Sequence, residues 1–372
     1  MNDLIHDPTR RAFLRVVAAS ALAARLGPRA HARQEPGPGA VPALRWGVVG
    51  TGSIANSMAG AIQRAQRATL AAVSSRRIET ARAYAEKHRV PHAFGSWAEM
   101  IASDAIDAVY VATPTSVREE ICVAAARGGK HVLGEKPLAS LASVDRILAA
   151  CHEHGVAFMD GTHFSHHPRT AAVRARRDEW TGGASLLDST CAFLLQDRSN
   201  IRYDPELEPM GAIGDVGWYN MRAAAEYLPA GAEVESVRAE LRRDEETGAV
   251  IGGSGELRFA GGMRSTWSCG FDAARASMDV RIEGPEGEIL VPGFLFQDAD
   301  GSARVRLRRA SGEAEDLRIP SDHPGSVLMF EDMAAAAADA TLRPRWEALT
   351  RRTQGLLDAI WRAGLDAEEG QG

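Results

Sequence analysis

Cysteine is scarce in this sequence, and blocks of like charge are missing. The chain of 372 residues has a formal net charge of -6, with acidic and basic residues interspersed along it. Nucleic-acid binding usually needs a basic stripe or patch, so we expect no nucleic-acid partner. The cysteines lack the paired spacing of a disulfide framework or a metal site, and we expect no bound metal; they are Cys122, Cys151, Cys191 and Cys269.

Long hydrophobic runs and internal repeats are also missing. A weakly apolar stretch from Val16 to Leu26 is interrupted by Arg25, and it is too short to span a bilayer. We therefore expect no stable membrane anchor. With 45% hydrophobic and 25% charged residues, the composition is typical of a globular protein of about two domains.

The first 32 residues have the layout of a bacterial twin-arginine export signal. Arg10 and Arg11 precede the weakly apolar stretch, and Ala30-His31-Ala32 ends it before a Pro/Gly-rich spacer at 33–42. This order predicts recognition by the export machinery and a periplasmic location. A surface amphipathic helix is the alternative.

A glycine-rich turn follows the spacer. Gly50, Gly52 and Ala55 form a G-x-G-x-x-A pattern after the apolar run LRWGVV, and Ser53 and Ile54 begin a helical pattern. Such a turn lets a pyrophosphate approach the backbone at a helix N-terminus. Alternating strands and helices over residues 43–160 predict a Rossmann domain, with its ligand at the carboxyl ends of parallel strands.

The residues after the second predicted strand indicate which dinucleotide binds. Ser75 and Arg76 stand where an NAD-preferring site usually has an acidic residue for the ribose hydroxyls. A hydroxyl and a guanidinium suit a 2′-phosphate, which favours NADP. Arg76 as a merely solvated surface residue is the alternative.

Two further predicted strands end in proline segments at the same sheet edge. Thr113 and Pro114 follow one strand, and Glu135 and Lys136 follow the next in the motif GEKP. We expect all four to contact the cofactor. A lysine reaching solvent from a strand end is the alternative for Lys136.

The motifs GVVGTGSIA, VATPTSV and GEKPLA, in this order, resemble those of the glucose-fructose oxidoreductase, inositol dehydrogenase and rhizopine-catabolism (Gfo/Idh/MocA) family. The resemblance implies an α/β Rossmann domain followed by an α+β domain with a large open antiparallel sheet. It also implies pairing through that sheet into a homodimer or homotetramer. The nearest branch is that of NADP-dependent sugar oxidoreductases and dihydrodiol dehydrogenases.

The segment MGAIGDVGWYNM resembles the family's substrate helix and assigns Asp215 and Tyr219 to the site. Lys136, Asp215 and Tyr219 are then the catalytic residues and also bind the sugar. We expect the charge of Lys136 to lower the pKa of Tyr219, and Asp215 to orient the sugar hydroxyls.

Three histidines follow the Rossmann pattern. His163 is a candidate sugar-binding residue, while His166 and His167 have no assigned role; hydrogen-bonded structural histidines are the alternative for all three. The chain departs from its relatives at Thr115 and Arg118, where asparagine and histidine are common.

The β-patterned remainder completes the domain plan. Residues 161–345 are predicted to form the substrate and oligomerisation domain, and residues 346–372 a helix that packs back on the first domain.

These features together predict a periplasmic NADP-dependent aldose oxidoreductase. Hydride would pass between sugar C1 and a tightly bound nicotinamide, in ping-pong fashion between two sugars. A nicotinamide-dependent glycoside hydrolase and a non-catalytic sugar sensor on the same fold are the alternatives.

Overall fold

The computed structural model describes residues 43–370, so the predicted export signal at 1–32 and the spacer at 33–42 lie outside the described residues. The first domain contains a six-stranded sheet in the order β3-β2-β1-β4-β5-β6, with every neighbouring pair parallel. This is the strand order of a Rossmann fold, as predicted. The strands are β1 (Leu44–Val49), β2 (Ala68–Ser74), β3 (His92–Phe94), β4 (Ala108–Val111), β5 (His131–Gly134) and β6 (Phe158–Asp160).

Helices cover both faces of this sheet, because its central strands are apolar on both sides. All four residues of β4 are buried, as expected for a parallel sheet. The register places Val49, Val111 and Gly134 side by side, so the loops after β1, β4 and β5 begin at one edge. The helices are α1 (Ser53–Arg64), α2 (Ile78–His88), α3 (Trp97–Ala102), α4 (Thr115–Arg127) and α5 (Leu141–Glu153).

The second domain is built on an eight-stranded sheet in the order β14-β13-β12-β11-β7-β10-β9-β8. Only the β7 and β10 pair is parallel within it, so the sheet is mostly antiparallel, as predicted. The strands are β7 (Leu186–Leu194), β8 (Val234–Arg243), β9 (Val250–Phe259), β10 (Arg264–Gly270), β11 (Asp272–Gly284), β12 (Gly287–Val291), β13 (Ala303–Arg309) and β14 (Ala314–Ile319).

Two helices, α6 (Pro168–Thr181) and α7 (Trp218–Tyr227), pack on one face of this sheet. A π-helical turn at Ile213–Gly217 leads directly into α7. The sheet also carries ion pairs between charged side chains of its strands, such as Arg281 with Glu283 and Arg308 with Glu288. Short 3-10 turns lie at His163–His166, Ile201–Tyr203 and Ala340–Leu342.

Helix α8 (Gly325–Ala338) corrects the predicted domain plan. Sequence analysis placed these residues in the second domain, but the structure packs them against the Rossmann domain. Phe330 meets the ring of Trp46 edge-on at 4.9 Å and that of Tyr110 at 5.9 Å. The apolar pattern of α8 shows that the helix is buried, but it does not identify the surface that buries it.

The last helix, α9, covers Arg343–Glu369 and begins three residues before the predicted start. It contacts α5 and β6 of the first domain, and α7 and β8 of the second. It therefore joins the two domains instead of returning to the first alone. Within residues 43–370, no helix combines the length and the apolar character needed to cross a bilayer.

Candidate functional site

The glycine turn after β1 leaves space above the N-terminus of α1. Gly50 has a φ of 103°, and a Cβ there would lie 2.7 Å from the carbonyl oxygen of Ala112, so only glycine fits. A Cβ on Gly52 would meet no protein atom within 4 Å. Ser53 and Ile54 beside it are exposed. Open space over a helix N-terminus fits a dinucleotide pyrophosphate.

Asn56 holds this turn in place, and sequence analysis did not identify it. Its Nδ2 donates hydrogen bonds to the carbonyl oxygens of Thr51 and Gly52 at 2.9 and 3.0 Å. Its Oδ1 accepts from Lys87 Nζ at 2.7 Å and lies 2.8 Å from His88 Nε2. No sequence motif marks this role, because its partners on α2 are about 30 residues away.

The residues proposed to select NADP lie where β2 ends. The backbone of Ser75 donates a hydrogen bond to Phe94 in β3, and Arg76 is exposed just beyond it. Among the described residues, Arg76 has no ion-pair partner, so its guanidinium is available to a phosphate at the sheet edge. Farther along the same edge, the Oγ1 of Thr113 is buried without a hydrogen-bond partner from residues 43–370, and Pro114 turns the chain into α4.

Arg118, the departure from the family pattern, ties two of the cofactor loops together. Its buried guanidinium donates hydrogen bonds to the carbonyl oxygens of Thr113 and Pro137, and to Thr115 Oγ1 at 3.0 Å. Thr115 in turn donates from its Oγ1 to Glu208 of the second domain at 2.6 Å. These two residues therefore organise the loops after β4 and β5.

Glu135 is hydrogen-bonded to protein groups, and its contact with the cofactor stays a prediction. The side chain is buried, and its carboxylate accepts hydrogen bonds from Tyr110 Oη and from the backbone N–H of Lys136 at 3.2 Å. A Cβ on Gly161 would lie 2.7 Å from this carboxylate. Burial raises the pKa of Glu135, although Lys136 and Tyr110 oppose the change. Glu135 thus fixes the backbone of Lys136 through this hydrogen bond.

Lys136 and Asp215, both predicted site residues, meet across the domain boundary. Lys136 lies beyond the end of β5, and its Nζ donates to the carbonyl oxygen and to Oδ1 of Asp215, both at 2.7 Å. Arg202 holds the other side of the carboxylate, with Nε 2.6 Å from Oδ2 and Nη2 3.3 Å from Oδ1. No sequence motif marks Arg202, which lies in the 3-10 turn Ile201–Tyr203, 13 residues before its partner.

The two cations fix the ionisation of Asp215. Burial alone would raise the pKa of this carboxyl, but the charges of Arg202 and Lys136 and their hydrogen bonds hold it well below its usual range. Asp215 therefore remains a carboxylate throughout the physiological pH range. With two of its three N–H groups given to Asp215, Lys136 has one left for a substrate oxygen.

Tyr219 lies beside this ion pair, with Lys136 Nζ 4.8 Å from its ring centroid. The expectation that Lys136 lowers the pKa of Tyr219 is wrong. Burial, followed by the nearby carboxylates of Glu135 and Asp215, raises that pKa well above its usual value. The positive charge of Lys136 is already offset by Asp215, so Tyr219 is a protonated hydrogen-bond donor at neutral pH.

Only one of the three histidines faces the catalytic group. The ring of His163 lies 6.2 Å from that of Tyr219, and burial together with Lys136 lowers its pKa to about 4. His166 instead lies 2.7 Å from Asp332 and stacks on Trp346. His167 caps α6 and contacts the carbonyl oxygen of Gly301. No cluster of potential metal ligands occurs within the part of the chain that the structure describes.

Two family profiles match the chain, one in each domain. The profile of an oxidoreductase family with an NAD-binding Rossmann fold matches residues 44–162. The GFO/IDH/MocA C-terminal domain matches residues 172–290.

Individual relatives extend the likeness over most of the chain. The dTDP-3,4-didehydro-2,6-dideoxy-alpha-D-glucose 3-reductase of Streptomyces violaceoruber is 32% identical over 331 residues, covering 88% of this chain and 91% of the relative. The D-xylose 1-dehydrogenase (NADP(+)) 2 of Haloferax volcanii is 30% identical over 274 residues, covering 72% of this chain and 81% of the relative. A 3-ketoreductase from Actinomadura kijaniata, solved with NADP and TDP-benzene, has a TM-score of 0.80 at 27% identity, covering 87% of this chain and 98% of that one.

Proposed function

Since the chain belongs to the GFO/IDH/MocA oxidoreductase family, we propose that it interconverts a hydroxyl and a carbonyl group of a sugar, with NADP as its cofactor. The observation that carries this proposal is the meeting of Lys136, Asp215 and Tyr219 at the carboxyl edge of the Rossmann sheet. Exposed Arg76 and the open glycine turn support NADP, the cofactor named for the xylose dehydrogenase and bound in the ketoreductase structure.

The side chains perform complementary tasks in this reaction. Lys136 donates its remaining N–H to the reacting oxygen and stabilises negative charge that develops there. Tyr219, held protonated, gives its proton to the same oxygen when a carbonyl is reduced. Asp215, itself held by Arg202, orients the lysine. The bound dinucleotide supplies or accepts the hydride.

We propose an aldose as the substrate, with C1 as the reacting carbon. The two named relatives divide between C1 of a pentose and C3 of a nucleotide-linked deoxysugar, so both sugar classes belong in an activity screen. Free aldoses and lactones that react with NADP(H) would support the proposal. Activity on nucleotide-linked ketosugars alone would overturn the substrate class but not the chemistry.

Replacing Lys136 by methionine tests the site directly. We expect Lys136→Met to lower kcat about 100- to 1,000-fold, as does loss of an oxyanion donor elsewhere, with NADPH still bound. Turnover is measured by NADPH absorbance with the sugar that the screen identifies. Lys130→Met is the matched control, because Lys130 lies at the opposite end of the same strand and binds the carbonyl oxygens of Ser103 and Ile106. Full activity in Lys136→Met would exclude the assigned site.

The export signal predicted for residues 1–32 motivates a further part of the proposal. A periplasmic enzyme has no pool of free NADP to draw on, so it would carry its cofactor in the folded state and regenerate it in place. One sugar would then reduce the bound NADP and a second would reoxidise it. The twin-arginine route, which moves folded proteins, is compatible with this order of events.

Cofactor retention distinguishes this ping-pong scheme from ordinary dehydrogenation. The protein, expressed without residues 1–32, is purified, denatured and freed of polypeptide, and the supernatant is assayed for nucleotide. We expect near-stoichiometric NADP. A protein that is empty after purification and takes up NADP freely would exclude the ping-pong scheme while leaving the sugar chemistry intact.

A further inference from the structure

A buried ion pair, Asp160 with Arg222, lies at the end of β6, next to the strand that leads to Lys136. Asp160 ends β6 and pairs in register with Gly134, the residue before the Glu135-Lys136 segment. The backbone N–H of Gly161 also donates to the carbonyl oxygen of Gly134 at 2.8 Å. The position of Asp160 is therefore fixed relative to the strand that carries the catalytic lysine.

The carboxylate of Asp160 connects this strand end to two helices. Its Oδ2 accepts hydrogen bonds from Arg222 of α7 and from Thr350 Oγ1 of α9, the latter at 2.6 Å. Its Oδ1 accepts from the backbone and hydroxyl of Thr162. The same hydroxyl accepts from Trp218 Nε1 at 2.7 Å. Three segments from both domains are thus bonded through one acidic side chain.

The two residues of α7 in this cluster, Trp218 and Arg222, flank the catalytic tyrosine in the sequence. Trp218 precedes Tyr219, and Arg222 follows it by three positions, so both anchors lie within one helical turn of the tyrosine. Both are fully buried, as is Thr350, and Asp160 is 5% exposed. Removing one partner of such a pair leaves a buried charge uncompensated, which is strongly destabilising.

We propose that the Asp160 and Arg222 pair is a positioning element that sets the distance between Tyr219 and Lys136. The proposal rests on the proposed function. Lys136 follows a strand of the first domain, and Tyr219 belongs to a helix of the second. The Asp160 cluster bonds the strand next to Lys136 directly to the turn that carries Tyr219.

The experiment compares Asp160→Asn with Glu226→Gln. Glu226 is also a buried carboxylate, but it lies on α7, seven residues beyond Tyr219, and pairs with Arg174 at 2.7 Å. We expect Asp160→Asn to lower kcat up to about 100-fold, the order of loss that a 1 Å misplacement causes, with little change in the KM for the sugar. Glu226→Gln is expected to lower Tm similarly but to keep kcat within about twofold, since it acts away from the tyrosine.

Thr350 supplies a milder pair of variants in case Asp160→Asn does not fold. Thr350→Val removes one hydrogen bond to Asp160 at nearly constant volume, and Thr350→Ser keeps it. We expect a several-fold loss of kcat in the valine variant and recovery in the serine variant. Equal kcat in the two variants, or equal losses of kcat in Asp160→Asn and Glu226→Gln, would overturn the positioning role.

Amide hydrogen exchange separates this proposal from the proposed function, because it needs no substrate. We expect faster exchange over residues 213–222 in Asp160→Asn and Thr350→Val, with unchanged exchange at the glycine turn. If wild-type protein turned over no sugar, the proposed function would fail while this measurement still decided the role of the ion pair. Unchanged exchange over 213–222 in both variants would overturn it.

Discussion

At the scale of single residues, the environment of Tyr219 determines whether this side chain keeps its proton. Desolvation of the half-buried phenol, followed by the carboxylates of Glu135 and Asp215, raises the pKa of Tyr219 well above its usual value, while Lys136 is bonded to Asp215. Each of these charges is visible in the sequence, but their distances are not. A lysine near a tyrosine in a motif therefore predicted the opposite pKa shift from the one that the folded protein produces.

The raised pKa of Tyr219 gives a prediction for pH dependence. A proton donor with a raised pKa keeps its proton to higher pH, so carbonyl reduction should show no alkaline loss from this group up to about pH 10, the ordinary tyrosine value. Tyr219→Phe should lower kcat about 100- to 10,000-fold, the usual contribution of general acid catalysis. The pH profile of NADPH oxidation measures both effects. An alkaline limb near neutral pH that disappears in Tyr219→Phe would contradict the assignment.

At the scale of elements, the turn between β1 and α1 could be predicted almost completely from the sequence. Strand pattern, glycine spacing and helix follow one another within about 20 residues, so local rules suffice. The Asn56 bonds that brace the turn could not be predicted, since Lys87 and His88 reach it from another helix. Likewise, Arg202 reaches Asp215 because the 3-10 turn Ile201–Tyr203 folds back toward the start of α7.

The two glycines of that turn are expected to respond differently to substitution. Gly52 has an ordinary φ of −72° and open space around its Cβ position, so Gly52→Val should fold normally but obstruct the pyrophosphate. Loss of one hydrogen bond to a charged group, about 1.5–3 kcal/mol, corresponds to about a 10- to 100-fold weaker NADPH Kd. Titration of NADPH fluorescence measures it.

Gly60, also with an open Cβ position but well inside α1, provides the control for this substitution. Gly60→Val should leave the NADPH affinity unchanged. Equal affinities for the two variants would place the dinucleotide away from the turn.

At the scale of the whole molecule, the sequence predicted the two sheets but not all of the packing between domains. The strands could be identified from the motifs and from the alternation of strand and helix patterns. A strand that is buried on both faces, such as β4, is a continuous apolar run. Helix α8 carries no such indication of its partner, and only the fold shows that Phe330 packs on Trp46. The amphipathic pattern of α9 likewise predicts that one face is buried. It does not indicate that this face contacts both domains.

The direction of β1 also determines where the chain enters the Rossmann domain. This strand begins at Leu44, at the amino edge of the parallel sheet, whereas Gly50, Lys136 and the cleft lie at the carboxyl edge. The described chain therefore starts on the side of the sheet opposite the glycine turn. Under the proposal that residues 1–32 direct export, this separation would let the dinucleotide be loaded at the carboxyl edge before the chain is translocated.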